Sequence, residues 1–126
     1  MNKTTTRASR EALESVFHAP NRIAIMSALS LAGSKGLSFG ELKAACGLTD
    51  GNLNNHLATL LEAGAVHITK EFVGAKPRTT VFPTNAGLDR FADYLLALEQ
   101  VLQAARATLP ARARRTAAWP ARVAPA

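Results

Sequence analysis

Apolar residues recur at helical spacing in four successive stretches before the period changes. From about Arg10 to His18, Leu13, Val16 and Phe17 share a helical face, and Ala19-Pro20 ends the run because a residue before proline is driven out of the α region. Pro20 suits the first position of a second helix, whose inward residues Ile23, Met26 and Leu29, widened by Ile25 and Ala28, continue until Gly33. Ser38 with Glu41 three residues later is a capping box, and Phe39, Leu42, Ala45 and Cys46 follow as a short third helix before Gly47. Thr49 can cap a fourth, with Asp50 in its first turn and a stripe of Leu53, Leu57, Leu60 and Leu61 running to Gly64. Only Gly47-Leu48 and the cap separate the last two, so they read as a helix-turn-helix.

From Ala65 the period shortens to two. Val66 and Ile68 alternate with Ala65, His67 and Thr69, then Phe72-Val73 lead into a tip at Gly74-Ala75-Lys76-Pro77 and a second β-rich run over Arg78–Phe82. This predicts a β-hairpin. Thr84 then caps a last helix in which Leu88, Phe91, Leu95, Leu98, Leu102 and Ala105 recur at steps of three and four as far as about Arg106. At ~1.5 Å per residue it is roughly 35 Å long, more than so small a core requires. Beyond Pro110 the composition turns to Ala, Arg and Pro without an apolar period, and residues 107–126 are expected to be a disordered basic tail. The expected organisation is a flexible basic N-terminus over residues 1–9, one folded domain over 10–106 and that tail. The fold class is mainly α with a small β-hairpin.

Composition narrows the function. The 126 residues suffice for one domain, and no stretch has the roughly 18 apolar residues of a membrane span, so no membrane partner is expected. The start lacks the apolar core of a secretory signal and Cys46 is the single cysteine, which together point to a reducing cytoplasm. The net charge of +6 raises nucleic acid as a partner, but it resides at the ends. Lys3, Arg7 and Arg10 lie near the start and Arg112, Arg114, Arg115 and Arg122 near the end, whereas residues 11–106 carry eight basic against nine acidic side chains.

The order of four helices, hairpin and long helix resembles a winged helix-turn-helix, and individual motifs make the likeness specific. Pro20-x-Arg22-x-x-Ile25-Met26-x-x-Leu29 is similar to the second helix of ArsR- and MarR-like regulators. Leu53-Asn54-x-His56-Leu57-x-x-Leu60-x-x-Ala63-Gly64-x-Val66 is similar to their recognition helix and first wing strand, and Thr84-x-x-Gly87 to the start of the helix after the wing. The resemblance covers about residues 13–105 and is greatest to small single-domain regulators related to MarR. It implies a transcriptional regulator that binds double-stranded DNA.

The residues support the same reading independently, since a major groove about 12 Å wide admits one helix whose exposed face can bond to base edges. On a wheel centred on the leucine stripe, Gly51, Asn52, Asn55, Thr59 and Glu62 point outward, with Asn54 and His56 at the flanks. Asparagine can pair bidentately with adenine and a threonine methyl can meet that of thymine, so Asn52, Asn55 and Thr59 are the candidate base contacts. The helix has no Lys or Arg, so phosphate neutralisation is expected from Lys70, Lys76 and Arg78 of the wing, with Thr49, Asn54 and His56 as further backbone contacts. A finger with these cations lies along the backbone or enters the minor groove.

The stripe on the last helix completes the expectation. Pairing with a second copy buries Leu88, Phe91, Leu95, Leu98 and Leu102, with Leu13 and Phe17 against the seam, and the two-fold axis presents two reading heads to a near-palindromic operator. A cleft between the first and last helices could hold a small apolar effector. Repression by blocking polymerase is the default outcome of such a module. No catalytic signature and no cofactor motif is evident. Two other readings stand beside it: a winged-helix protein–protein adaptor, and a metal or thiol sensor of the ArsR type. The sensor is weakened because Cys46 is the one thiol where such proteins carry Cys-x-Cys, and His18, His56 and His67 are scattered, so no metal site is assigned.

Overall fold

The computed structural model describes residues 16–116. Its elements are α1 (Pro20–Ala32), a 3-10 turn (Gly33–Lys35), β1 (Leu37–Ser38), α2 (Phe39–Cys46), α3 (Asp50–Glu62), β2 (Val66–Val73), β3 (Lys76–Pro83), α4 (Asn85–Ala107) and α5 (Ala111–Thr116). The strands form one antiparallel sheet in the order β1-β3-β2. This is a winged helix: α2 and α3 are the helix-turn-helix and β2-β3 the wing. Leu13 and most of the helix expected over Arg10 to His18 lie outside the described residues, and Val16-Phe17 form a turn leading into α1.

Local chemistry sets the helix ends as the sequence predicts. Ser38 Oγ accepts from Glu41 N at 3.1 Å while Ser38 N donates to the Glu41 carboxylate at 2.9 Å, closing the capping box. Gly47 ends α2 in the left-handed conformation, its N–H donating to the Lys43 carbonyl, and Thr49 Oγ1 accepts from Asn52 N at 3.1 Å at the start of α3. Phe17, Ile25, Met26, Leu29, Leu42, Leu53, Leu60 and Val81 are fully buried beneath these elements.

Three features differ from expectation. β1 is two residues long, pairing Leu37 with Val81 and Ser38 with Thr80, too short for any alternation to reveal it. The wing tip is also tighter than a four-residue turn. Only Gly74-Ala75 lie between the strands, and Lys76 and Pro77 belong to β3, opposite Val73 and Phe72. Gly74 takes φ 67 and Ala75 does not go positive, as a type II′ turn requires. The pair beside a two-residue turn is the hydrogen-bonded one, so Phe72 and Pro77 form the next, non-hydrogen-bonded pair, where a proline nitrogen forfeits no bond to β2. Third, Ala111–Thr116 are helical where a disordered tail is expected. Alanine and arginine favour helix even without an apolar stripe, and the Pro110 carbonyl accepts from Ala113 N at 3.0 Å and Arg114 N at 3.1 Å.

The junction after α3 is the most constrained part of the chain. Thr84 N donates to the Ala65 carbonyl at 3.0 Å, Thr84 Oγ1 donates to the Gly64 carbonyl at 2.7 Å and accepts from Gly87 N at 2.9 Å, and Arg90 Nη1 donates to the Ala63 carbonyl at 2.7 Å. A Cβ at Gly87 would stand 2.2 Å from the Ala65 carbonyl oxygen and 2.7 Å from its Cα. Both opposing atoms are backbone, so neither can swing aside. Gly87→Ala should therefore lower unfolding free energy by about 3 kcal/mol, at the upper end of overpacking costs. Gly40→Ala, on a helix with nothing within 4 Å of the added carbon, should stay within about 1 kcal/mol of the parent. Urea midpoints at constant m-value measure both.

Candidate nucleic-acid interface

Amphipathicity orients α3. Leu53, Leu57 and Leu60 are buried, while Gly51, Asn52, Asn54, Asn55, Ala58 and Glu62 are exposed and Thr59 is half-buried. Asn52 and Asn55 thus stand on the open side. Thr59 Oγ1 donates to the Asn55 carbonyl at 3.3 Å, which occupies the hydroxyl proton within the helix. Thr49 Oγ1, by contrast, is an acceptor in its cap and keeps its own proton available to donate. Asn54 faces the wing, where it lines a groove of about 420 Å³ with Phe39, Leu57, Leu61, Ile68, Lys70 and Thr79.

His56 is less free than the helical wheel implies. It is half-buried, with Nδ1 3.0 Å from Arg22 Nη1 and Nε2 3.4 Å from the Asn21 side-chain amide. Guanidinium can only donate, so Nδ1 must be the acceptor, the proton belongs on Nε2, and the Asn21 amide should present its oxygen there. Burial and then the Arg22 charge hold the imidazole pKa below its usual value. Arg22 Nε also donates to the Val16 carbonyl, so one guanidinium links the chain before α1 to α3. In the sequence Arg22 stands out only within the motif that carries the family resemblance. Its role in holding α3 depends on a contact 34 residues away that no local spacing displays.

The three wing cations do not form one cluster. The register places Lys70 opposite Thr79, on the face shared by Ile68 and Phe72, whereas Lys76 and Arg78 lie opposite Val73 and Glu71 on the other face. Side-chain alternation in a ribbon makes this division unavoidable for residues paired as 70 with 79 and 71 with 78. Lys70 and Lys76 are exposed, and Arg78 Nη2 lies 3.8 Å from the Glu41 carboxylate, itself held below the ordinary carboxylate range by the Ser38 hydrogen bonds and, more weakly, by Arg78. Lys43 Nζ meets Asp50 at 2.7 Å and bridges the two helices of the helix-turn-helix.

The stripe on α4 divides in two. Phe91 and Phe17 are 4% and 0% exposed, with ring centroids 5.5 Å apart, and Tyr94 packs 6.0 Å from Phe17. Phe17 and Phe91 therefore belong to the chain's own core and do not face outward as seam residues, because the turn at Val16-Phe17 folds the phenyl ring beneath α4. Leu88 and Leu98 are partly buried against the same core. Leu95 and Leu102, at 40% and 52%, remain on the surface, with Leu96 beside them. Among the described residues no group of three His, Cys, Asp or Glu is placed to hold a metal, and no helix is long and apolar enough to cross a membrane. Burial pushes the Cys46 thiol pKa up.

Comparison with known proteins agrees with this geometry. Residues 21–102 match the family described as winged helix DNA-binding domain, and the chain belongs to that family. It is 33% identical over 86 residues to an uncharacterized protein of Methanocaldococcus jannaschii, covering 68% of this chain and 91% of the relative. Among solved structures, a transcriptional regulator homologue from Pyrococcus horikoshii superposes with TM-score 0.67 at 28% identity, covering 75% of this chain and 93% of that one. MepR of S. aureus in complex with DNA superposes with TM-score 0.63 at 13% identity, covering 95% and 93%. At that identity the likeness is one of fold, the fold shared by MarR-family regulators.

The state of His56 makes stability depend on pH. A histidine whose pKa is lower in the folded than in the unfolded chain takes up protons on unfolding, so stability is retained above the ordinary value near about 6.5 and is lost as pH falls through it. Urea unfolding between pH 8 and pH 5 should show this decline, and His56→Gln, which cannot be protonated, should flatten it.

Proposed function

We propose that this chain is a homodimeric transcriptional regulator that reads duplex DNA with α3 in the major groove. The observation that carries the reading is the exposed amide-bearing face of α3, with Asn52 and Asn55 exposed and Asn54 bordering the groove toward the wing. Asn52, Asn55 and Thr59 contact base edges, Thr59 through its methyl since its hydroxyl is engaged. Thr49, Asn54, Lys70, Lys76 and Arg78 contact the backbone, with Arg78 exchanging its weak surface contact to Glu41 for a phosphate. His56 takes part through the edge of its ring while Arg22 fixes its tautomer.

The structure solved for MepR contains DNA, which supports duplex DNA as the partner of a chain of this fold. Leu95 and Leu102, with Leu96, form the contact between two copies along α4, whose last turns extend past its buried residues Gly87, Phe91, Tyr94 and Ala97. Two-fold pairing sets the reading heads about 34 Å apart on a near-palindromic operator. Bound there, the dimer excludes polymerase and acts as a repressor. A small apolar effector could act from the cleft beside α4.

Selection of bound duplexes from a random pool tests the reading directly. The enriched sites should be near-palindromes with half-sites about 10 base pairs apart, and absence of enrichment at 50 mM salt, where electrostatic binding is strong, overturns it. On an enriched duplex, Asn55→Ala should reduce discrimination against a mismatched half-site by about 1–3 kcal/mol, whereas Lys76→Ala should weaken all duplexes alike and lower the salt slope by roughly one. Leu95→Glu with Leu102→Glu should yield a monomer by sedimentation velocity.

A further inference from the structure

We propose that Phe72 is an apolar wedge which the wing inserts between two base pairs from the minor groove, bending the bound duplex; this rests on the DNA-binding reading above. Phe72 is 74% exposed, and no other Phe or Tyr among the described residues is exposed. Nothing in the fold accounts for it: the sheet buries Val66 and Val81 farther down the same face and leaves the tip bare.

The tip is built stiffly. Pro77 lies directly opposite Phe72, and the two-residue turn follows one position later, so the ring is carried on a paired ribbon and not on a loose loop. Phe72 stands four residues beyond Ile68 along β2, about 13 Å at the rise of a strand. The division of cations between faces, which defeats a single basic patch, suits this placement. Lys70 shares the face of Phe72, and Lys76 stands one pair nearer the turn on the opposite face, so long cationic side chains on both sides of the ribbon are available to phosphates when the ring faces the bases. Arg78 lies 3.8 Å from Glu41, whereas Lys70 and Lys76 form no ion pair among the described residues, which leaves the two lysines as the principal pair. An exposed aromatic flanked by lysines on both faces matches a duplex, whose outer walls are anionic and whose stacked interior is apolar, and minor-groove proteins use such wedges to unstack a step and kink the helix.

The test uses the full chain and a duplex enriched from the random pool. Phe72→Trp in a Trp119→Phe background, which leaves a single indole at the wing, should lose fluorescence on saturation with duplex as the indole stacks on bases. Phe72→Ala should lower affinity by on the order of tenfold, leave the salt slope unchanged, and straighten the duplex as read by energy transfer between end-labelled fluorophores. Lys76→Ala should change the slope instead. Unquenched indole in a saturated complex, or equal bending by wild type and Phe72→Ala, overturns the wedge while leaving the DNA-binding reading intact. A Phe72→Ala protein that binds and bends DNA normally but loses self-association assigns the ring to a protein contact and equally overturns it. Failure of the wild-type chain to bind any duplex removes both.

Discussion

The close approach of α4 to the backbone at Ala65 is the constraint on which the arrangement of the site depends. Gly87 is the only residue type that lets the two backbones meet at this distance, and Thr84 adds hydrogen bonds on either side of the contact. Ala65 is where α3 has ended and β2 begins, so one small area fixes the exit of α3, the root of the wing and the start of the long helix. Arg90 strengthens it from one turn farther along α4, bonding the Ala63 carbonyl while its guanidinium lies 5.6 Å from the Phe17 ring centroid. Whatever moves α4 therefore moves α3 and the wing together.

Elements defined by local chemistry were legible from the residues. The capping box at Ser38, the caps at Thr49 and Thr84, the proline start of α1 and the α3 stripe at Leu53, Leu57 and Leu60 each act within about four residues and recur in the structure, whereas Leu61, expected to be buried with that stripe, is 47% exposed beside the wing groove. What escaped depends on partners distant in sequence. β1 exists only because Leu37 and Ser38 meet β3, and His56 acquires its acceptor state only from Arg22. Phe17 and Phe91 fit the periodicity of an outward seam as well as that of a core, since period alone cannot say which side of α4 the preceding chain will occupy. The wing cations were visible as residues, but their division between two faces follows from a turn two residues shorter than the Gly-Ala-Lys-Pro run implies.

The turn length has consequences for chemistry as well as shape. Had Lys76 and Pro77 remained in the loop, the ribbon would be shorter, Pro77 would not back Phe72, and the cations would sit on a mobile tip. Pairing through Val73 and Lys76 instead extends the ordered ladder to the end of the hairpin. A stiff ribbon loses less conformational freedom on contact with a partner than a loop does, so more of each contact appears as affinity.

Four cations of the described body hold its parts in place. Arg22 joins Val16 and His56, Lys43 joins Asp50, Arg90 joins Ala63, and Arg78 reaches Glu41. Each cation lies between elements that must keep a fixed relation if α3 is to enter a groove: the start of α1 to α3, α2 to α3, α4 to the end of α3, and the wing to α2. The exposed pairs add little to stability, but they orient. Among the described residues Lys70 and Lys76 of the wing form no ion pair, so on the proposed reading the attraction for a polyanion lies at the wing and the face of α3 offers neutral amides. In that reading the two tasks are separated, because α3 carries no Lys or Arg that would bond to phosphate irrespective of sequence.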